Sequence, residues 1–233
     1  MRYLTVTVVL AAFLPSLAQA TPCQVGTLQS YIDLGSGGCS IEDKTVSAFV
    51  DLGVLGSATP IVPNDITVTP LSTPGNPGLT LDFGATAGPG DLLESLFAFS
   101  VAILPGGNPI QAVSLSLLGS EVVPDGVNTA ILCLGTTDPA CPTPDPILLF
   151  DIGDDSQLVD TRTLSPAANL DLVLDVVVDG GLFGGAALSS ATLRFLEVAA
   201  VPEPAIGFLL GAGLLALDRI RRRTARAMKE HAK

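Results

Sequence analysis

Apolar and polar residues alternate along much of this chain. Residues 66–70, 79–83 and 170–178 alternate most clearly, and longer apolar runs lie at 96–104, 112–118, 127–134 and 147–152. A period of two places alternate side chains on opposite faces of a strand. The pattern therefore predicts β-strands in these segments and in two others, at 45–54 and 187–198.

Clusters of glycine and proline separate the predicted strands. They lie at residues 60–64, 70–78, 88–90, 105–109, 124–126 and 139–146. No segment between them shows a long helical period with capping residues. Short strands punctuated in this way are typical of an all-β protein, and we predict a single β-sandwich of short antiparallel strands over residues 21–200.

The two ends of the chain differ from this middle. Arg2 precedes an apolar stretch over residues 3–14, and Ala18-Gln19-Ala20 forms a small-x-small cleavage site. These features predict a secretory signal peptide over residues 1–20, exported by the Sec machinery and removed by signal peptidase.

The C-terminal end combines a proline-rich motif, an apolar segment and a basic cluster. Residues 205–217 carry no charge and predict a transmembrane helix, although a comfortable span has roughly 20 apolar residues. The basic cluster predicts a cytoplasmic C-terminus and a stop to translocation. The motif is Pro202, Glu203 and Pro204, and the stop-transfer residues are Arg219, Arg221, Arg222 and Arg223.

This order of features resembles the sorting signal of PEP-CTERM proteins, and it occupies residues 201–233. The resemblance implies processing by an exosortase-type transpeptidase in a Gram-negative bacterium that makes extracellular polysaccharide. It also implies an inner-membrane intermediate, followed by release to the cell surface or the extracellular matrix. The chain has Ala205 and Ile206 where family members often carry small hydroxylated residues, and Asp218 is unusual at the membrane edge. An ordinary single-pass anchor behind chance prolines is the alternative.

A second resemblance covers residues 28–51. Tyr31 precedes a Gly-Cys turn at Cys39, which is followed by the pair Asp43-Lys44 and then Phe49. This order is similar to a segment found in secreted PEP-CTERM proteins. It implies family membership and a fold, and no activity.

Charge and composition exclude several classes of function. Residues 21–203 hold three cations and 21 acids, a net charge of −18, so nucleic acid and anionic lipid are poor partners. An acidic surface also simply keeps an exported domain soluble. The only histidine, His231, lies in the tail, which excludes a Ser-His-Asp triad and histidine-based zinc sites from the body. Tryptophan is absent, which argues against an aromatic platform for sugars. We therefore expect that the protein is not an enzyme and that it requires no cofactor.

Four cysteines remain in the exported chain. An even number in an oxidising compartment predicts disulfides. Three pairings are possible, and we favour the local one, Cys23 with Cys39 and Cys133 with Cys141.

Two groups of acidic residues are candidate sites. Asp151, Asp154 and Asp155 form a loop rich in oxygen ligands that could hold Ca²⁺, but the loop lacks the spacing of a helix-loop-helix calcium site, and a solvated turn is the favoured interpretation. Asp171, Asp175 and Asp179 should lie on one exposed face of a strand. Paired carboxylates can hydrolyse glycosides, but a chain this acidic will always contain pairs.

Three hypotheses follow from the sequence. The first is a non-enzymatic exported protein at the surface or in the extracellular matrix, where polysaccharide is an expected partner. The second is a calcium- or glycan-binding module on the cell surface. The third is an enzyme that uses only Asp, Glu, Ser and Lys. The first requires nothing beyond the observed features, and we adopt it.

Overall fold

The computed structural model describes residues 20–143 and 145–197. This part of the chain contains 14 strands, one six-residue α-helix, α1, over Leu28–Asp33, and a 3-10 turn over Gly35–Gly37. The strands are β1 Gly26–Thr27, β2 Cys39–Ile41, β3 Lys44–Gly53, β4 Thr59–Pro60, β5 Thr67–Leu71, β6 Gly78–Ala87, β7 Leu92–Ile103, β8 Ile110–Val123, β9 Val127–Leu134, β10 Ile147–Asp151, β11 Ser156–Gln157, β12 Val159–Ala167, β13 Asn169–Asp179 and β14 Gly185–Glu197.

The strands form two sheets. One sheet has the order β1-β5-β6-β14-β8-β12, and the other has the order β11-β10-β9-β13-β7-β3-β2 with β4 beside β7. The short β4–β7 pairing is parallel, and every other pairing within the sheets is antiparallel. The prediction of an all-β protein with antiparallel sheets is confirmed.

One hydrophobic core lies between the sheets. It joins Leu81 and Leu193 of the first sheet to Phe99 and Leu174 of the second, each at most 1% exposed. Phe99 stacks on Phe49 with ring centroids 4.8 Å apart. Burial of these inward faces on neighbouring strands is the main force holding such a sandwich together.

Strand lengths and strand number differ from the prediction: the short strands β1, β2, β4 and β11 and the longer β12 were not among the nine predicted segments. β8 spans 14 residues and β14 spans 13, so the central strands are long rather than short. β12 was not predicted, because its residues are mostly exposed or half-buried and show no apolar alternation. It forms the edge of the first sheet. Its extended conformation is stabilised by backbone hydrogen bonds to β8 rather than by burial of its side chains.

The outer face of the second sheet carries a smaller hydrophobic cluster. Leu96, Ala98, Cys133 and Val173 are buried there, away from the main core. Leu52, Ile131 and Cys141 pack against them. The second cluster explains why residues 96–104 read as a continuous apolar run: both faces of β7 are covered over part of its length.

The sandwich has two different ends. At the C-terminal pole the start of β3 pairs with the end of β7, and the end of β14 pairs with the start of β8. At the distal pole the turns that follow β6, β8 and β13 meet, through hydrogen bonds such as Gly90 N to Gly181 O at 2.6 Å. The last described residue, Glu197, lies at the C-terminal pole.

Candidate functional site

Both predicted disulfides are present. Cys23 and Cys39 are bonded with their Cα atoms 4.8 Å apart, and Cys133 and Cys141 with theirs 5.6 Å apart. The first disulfide holds the segment before α1 against β2. The second ties the loop after β9 to the outer hydrophobic cluster.

The predicted sorting residues lie outside the described part of the chain. This applies to the motif Pro202, Glu203 and Pro204, to the basic residues from Arg219 to Arg223, and to signal-peptide residues 1–19. Among the residues that are described, no helix is long and apolar enough to cross a membrane.

The candidate calcium residues are not gathered around a common point. Asp151 is only 7% exposed, and its Oδ2 accepts a hydrogen bond from the Ser120 hydroxyl at 2.7 Å. The Asn128 amide donates to the same hydroxyl at 2.9 Å, so Asp151 belongs to an internal polar network. Asp154 and Asp155 are exposed. Residues 20–143 and 145–197 contain no group of three acidic, histidine or cysteine residues arranged to hold a metal ion.

The most unusual side chain in the structure is Lys44, the first residue of β3. It is fully buried, and its Nζ donates to Oδ1 of Asp43 at 2.5 Å and to Oε1 of Glu197. The Glu197 side chain is 4% exposed and that of Asp43 27%. Because β3 and β14 belong to different sheets, the ion pair of Lys44 with Glu197 joins the two halves of the sandwich.

Asn108 completes this cluster from the loop between β7 and β8. Its backbone N–H donates to Oδ2 of Asp43 at 2.6 Å, and its side-chain amide donates to Oε2 of Glu197 at 3.1 Å. Each of the four carboxylate oxygens therefore accepts one hydrogen bond. A side chain at Gly107 would place its Cβ 2.7 Å from Oδ2 of Asp43, so the tight loop requires glycine there.

The electrostatics of the Lys44 cluster follow from these contacts. Burial by itself would raise the pKa of the Asp43 carboxyl. The hydrogen bonds from Lys44 and Asn108 outweigh burial and hold that pKa below its usual value. Asp43 is therefore ionised. Because its side chain is partly exposed, it connects the cluster to solvent.

A cleft of about 730 Å³ opens beside the Lys44 cluster. Asp43, Asn108 and Glu197 form its polar wall, and Pro74, Leu104 and Pro105 belong to its apolar wall. The cleft thus brings solvent to Asp43, while the side chains of Lys44 and Glu197 stay enclosed.

A second pair of carboxyls lies on the outer face of the second sheet. Glu94 of β7 is 3% exposed, and its Oε2 accepts a hydrogen bond from Leu55 N at 2.8 Å. Asp175 of β13 is beside it, with a buried Oδ1 that has no hydrogen-bond partner. Burial raises the pKa of Asp175 to about 6, and the adjacent Glu94 carboxylate adds to the rise.

The burial of Asp175 corrects one prediction. Asp171 is exposed as expected, but Asp175 and Asp179 are only partly so. The outer face of β13 is only partly exposed to solvent, because the outer hydrophobic cluster and the segment that follows β3 cover its centre.

Asp175→Asn is expected to stabilise the protein above pH 6. The folded-state pKa of about 6 lies above the unfolded value of 3.8, so folding takes up a proton between these values. The free energy of unfolding therefore falls as pH rises through this window, by about 1–2 kcal/mol once partial solvent exposure is allowed for. Urea unfolding at pH 4 and pH 7.5 should show the gain at pH 7.5 alone. Asp154→Asn removes an equal charge from an exposed loop, and a similar gain in that control would contradict a local cause.

The distal pole exposes two large apolar side chains. Leu182 is 75% and Phe183 83% exposed in the turn between β13 and β14. The Asp125 carboxylate accepts hydrogen bonds from both of their backbone N–H groups, at 2.9 and 3.3 Å. The hydrogen bonds to Asp125 therefore hold the turn in a conformation that exposes both side chains.

No protein-family model matches this chain. A search of the curated proteins also returns no match. The structure and the residues themselves must therefore carry any statement about function.

The sequence analysis missed the Lys44 cluster as a site, although one signal was available. Lys44 is one of only three cations among residues 21–203, and it directly follows an acid. Such a pair usually indicates a solvated turn, and nothing local in the sequence reports that Glu197, 153 residues away, meets it.

Proposed function

We propose that this chain is an exported, non-enzymatic protein of the cell surface or the extracellular matrix. In this proposal residues 201–233 are a PEP-CTERM sorting signal that an exosortase-type transpeptidase processes at the inner membrane. The protein is then a substrate of the sorting machinery rather than a catalyst.

The observation that carries the proposal is the short sequence distance between the last described strand and the motif. β14 lies in the interior of its sheet and ends at Glu197, whose side chain is buried against Lys44. Pro202 follows only five residues later. Extended chain of that length spans at most about 17 Å, so a processing enzyme would meet the motif close to a rigid domain boundary.

The two disulfides support the exported location. Both cysteine pairs are oxidised, and the described residues include no free cysteine. Such bonds form and persist in the periplasm and outside the cell, and they are rare in the cytosol.

The state of the charged groups supports a structural role. Lys44, the one buried cation of the described residues, is held by two carboxylates, and Asp151 accepts a hydrogen bond from Ser120. Groups that are fully occupied by partners within the protein are less available to bind an added ligand. The outer face and the distal pole are then available for contacts within a matrix.

Glu203→Ala is expected to leave the chain unprocessed and held in the membrane. The change keeps both prolines and removes the only charge of the motif, which a processing enzyme would recognise. The measurement is the intact mass and the membrane-to-medium ratio of the protein in its native host, compared with the wild type. Glu230→Ala, which removes an acid beyond the apolar segment, is the matched control and should be processed normally. If the Glu203 variant reached the medium as efficiently as wild type, residues 201–233 would be an anchor and the sorting proposal would fail.

A further inference from the structure

We propose that Lys44 and Glu197 become joined by an intramolecular amide bond after the domain folds. The bond would link Nζ of Lys44 to Cδ of Glu197. It would convert the ion pair between the first long strand and the last strand into a covalent cross-link between the two sheets. This inference does not depend on how the C-terminal tail is processed.

The geometry places the two reacting groups in direct contact. The Lys44 Nζ contacts Oε1 of Glu197 directly, and the Lys44 side chain is 0% exposed. The Glu197 side chain is 4% exposed, so bulk water has little access to the carbon that would be attacked. Two groups held in contact on rigid strands react as if at very high concentration.

The neighbours of this pair supply the other groups that amide formation requires. Oδ1 of Asp43 lies 2.5 Å from the Nζ of Lys44, where it can accept a proton and leave the amine free to attack. The Asn108 amide donates to Oε2 of Glu197 at 3.1 Å, the oxygen on which negative charge develops in a tetrahedral intermediate. Asp43 also borders the cleft, which provides a route for protons and water to solvent.

The reaction balances without an added reagent. The Lys44 ammonium transfers a proton to Asp43, and the neutral Nζ attacks Cδ of Glu197. The C–Oε1 bond then breaks, and Oε1 leaves as water after it has taken up the two protons that Nζ loses, one of them through Asp43. Nζ retains one proton in the amide. An ammonium and a carboxylate thus become a neutral amide and one water, and Asp43 ends in its starting ionised state.

Burial favours this condensation, which is unfavourable between exposed groups in water. An enclosed ammonium and carboxylate both lose hydration, and their mutual attraction offsets that loss only in part. The amide removes both charges from the interior, and the water it releases passes through the cleft to solvent. The remaining carboxylate, on Asp43, keeps its hydrogen bond from the Asn108 backbone.

The position of the cross-link would strengthen the fold against force applied at its C-terminal end. It would join residues 153 positions apart at the C-terminal pole, five residues before Pro202. A pull on the chain through its C-terminus would reach the Glu197 end of β14 first. The bond would transmit that force to β3 in the other sheet, so the force would not pull β14 out of its own sheet.

The test is a mass measurement on the wild-type protein from its native host, with all disulfides reduced. We expect the mass to be one water below the mass calculated for the chain between the two ends that peptide mapping identifies. Trypsin should fail to cleave after Lys44, because an acylated lysine is not a substrate, and a branched peptide should connect the Lys44 segment to the segment that begins at Phe195. Full mass with normal cleavage after Lys44 would overturn the proposal, and so would a loss of ammonia that maps to Asn108. This readout requires no variant to fold.

Two variants test the chemistry. Lys44→Arg keeps a cation that does not acylate under these conditions, and it should restore the full mass. Glu197→Gln retains an electrophilic carbon and should form the same bond with loss of ammonia in place of water, so its final peptide should match that of the wild type. A water loss that persisted in Lys44→Arg would place the modification elsewhere and contradict the assignment.

Discussion

Lys44→Met is expected to lower the free energy of unfolding by about 3–5 kcal/mol, the range measured when one partner of a buried ion pair is removed. Methionine fills much of the same volume but leaves the Glu197 carboxylate enclosed without its cation. The loss arises mainly from that unpaired charge, since the Asn108 amide alone remains as a donor to Glu197. Urea unfolding at pH 7 compares the variant with wild-type protein that retains its full mass, in which Lys44 and Glu197 are still an ion pair.

Two further variants separate charge from packing. Lys44→Met combined with Glu197→Leu removes both charges and is expected to recover most of the lost stability, because buried ion pairs can often be replaced by apolar residues at little cost. Arg162→Met is the matched control. Arg162 is 36% exposed and its partner Asp145 74%, so its ion pair should be worth under about 1 kcal/mol. A double variant as unstable as the single one would show that the cluster matters for something other than charge compensation.

Replacing Cys23 and Cys39 together by alanine is expected to cost about 3 kcal/mol. The disulfide closes a segment with a sequence separation of 16, and the estimate follows from the conformational freedom that such a loop restores to the unfolded chain. Both cysteines are nearly buried, at 9% and 4% exposed, so lost packing would add to the effect.

Thermal and urea unfolding of this double variant should be compared with reduced and oxidised wild type. The Cys133 and Cys141 double variant serves as the matched case, with a sequence separation of only 8 and a smaller expected loss, about 2.5 kcal/mol. Backbone hydrogen bonds also hold the first segment, from Cys23 N to Ser40 O and from Ser40 N to Thr21 O, both at 2.9 Å. A loss below about 1 kcal/mol would mean that these bonds secure the segment without the disulfide.

Both effects concern neighbouring parts of one end of the molecule. Cys39 pairs with Val46, and Lys44 pairs with Ile41, in the β2–β3 hairpin at the C-terminal pole. A disulfide and a buried charge cluster therefore reinforce the end at which the chain continues toward residues 201–233. This distribution is what a surface protein held or processed through its C-terminus would require.

The sequence by itself predicted nine of the 14 strands, and its boundaries are accurate for only some of them. β9 has the predicted limits, 127–134, and β13 differs from its prediction by one residue at each end. Alternation is a local property that the pleat of a strand imposes directly, which explains this success. The two local disulfides were also predictable, because short separations in an exported chain favour them.

The tertiary structure alone decided which faces are covered and which distant residues meet. β12 is a strand only because it pairs with β8, and Asp175 is partly buried only because other segments cover its face. The Lys44 cluster joins residues 43, 44, 108 and 197, which share no local pattern. Local alternation records that one face of a strand is apolar. The partner across a sheet or between two sheets depends on strand order, which is a property of the whole chain.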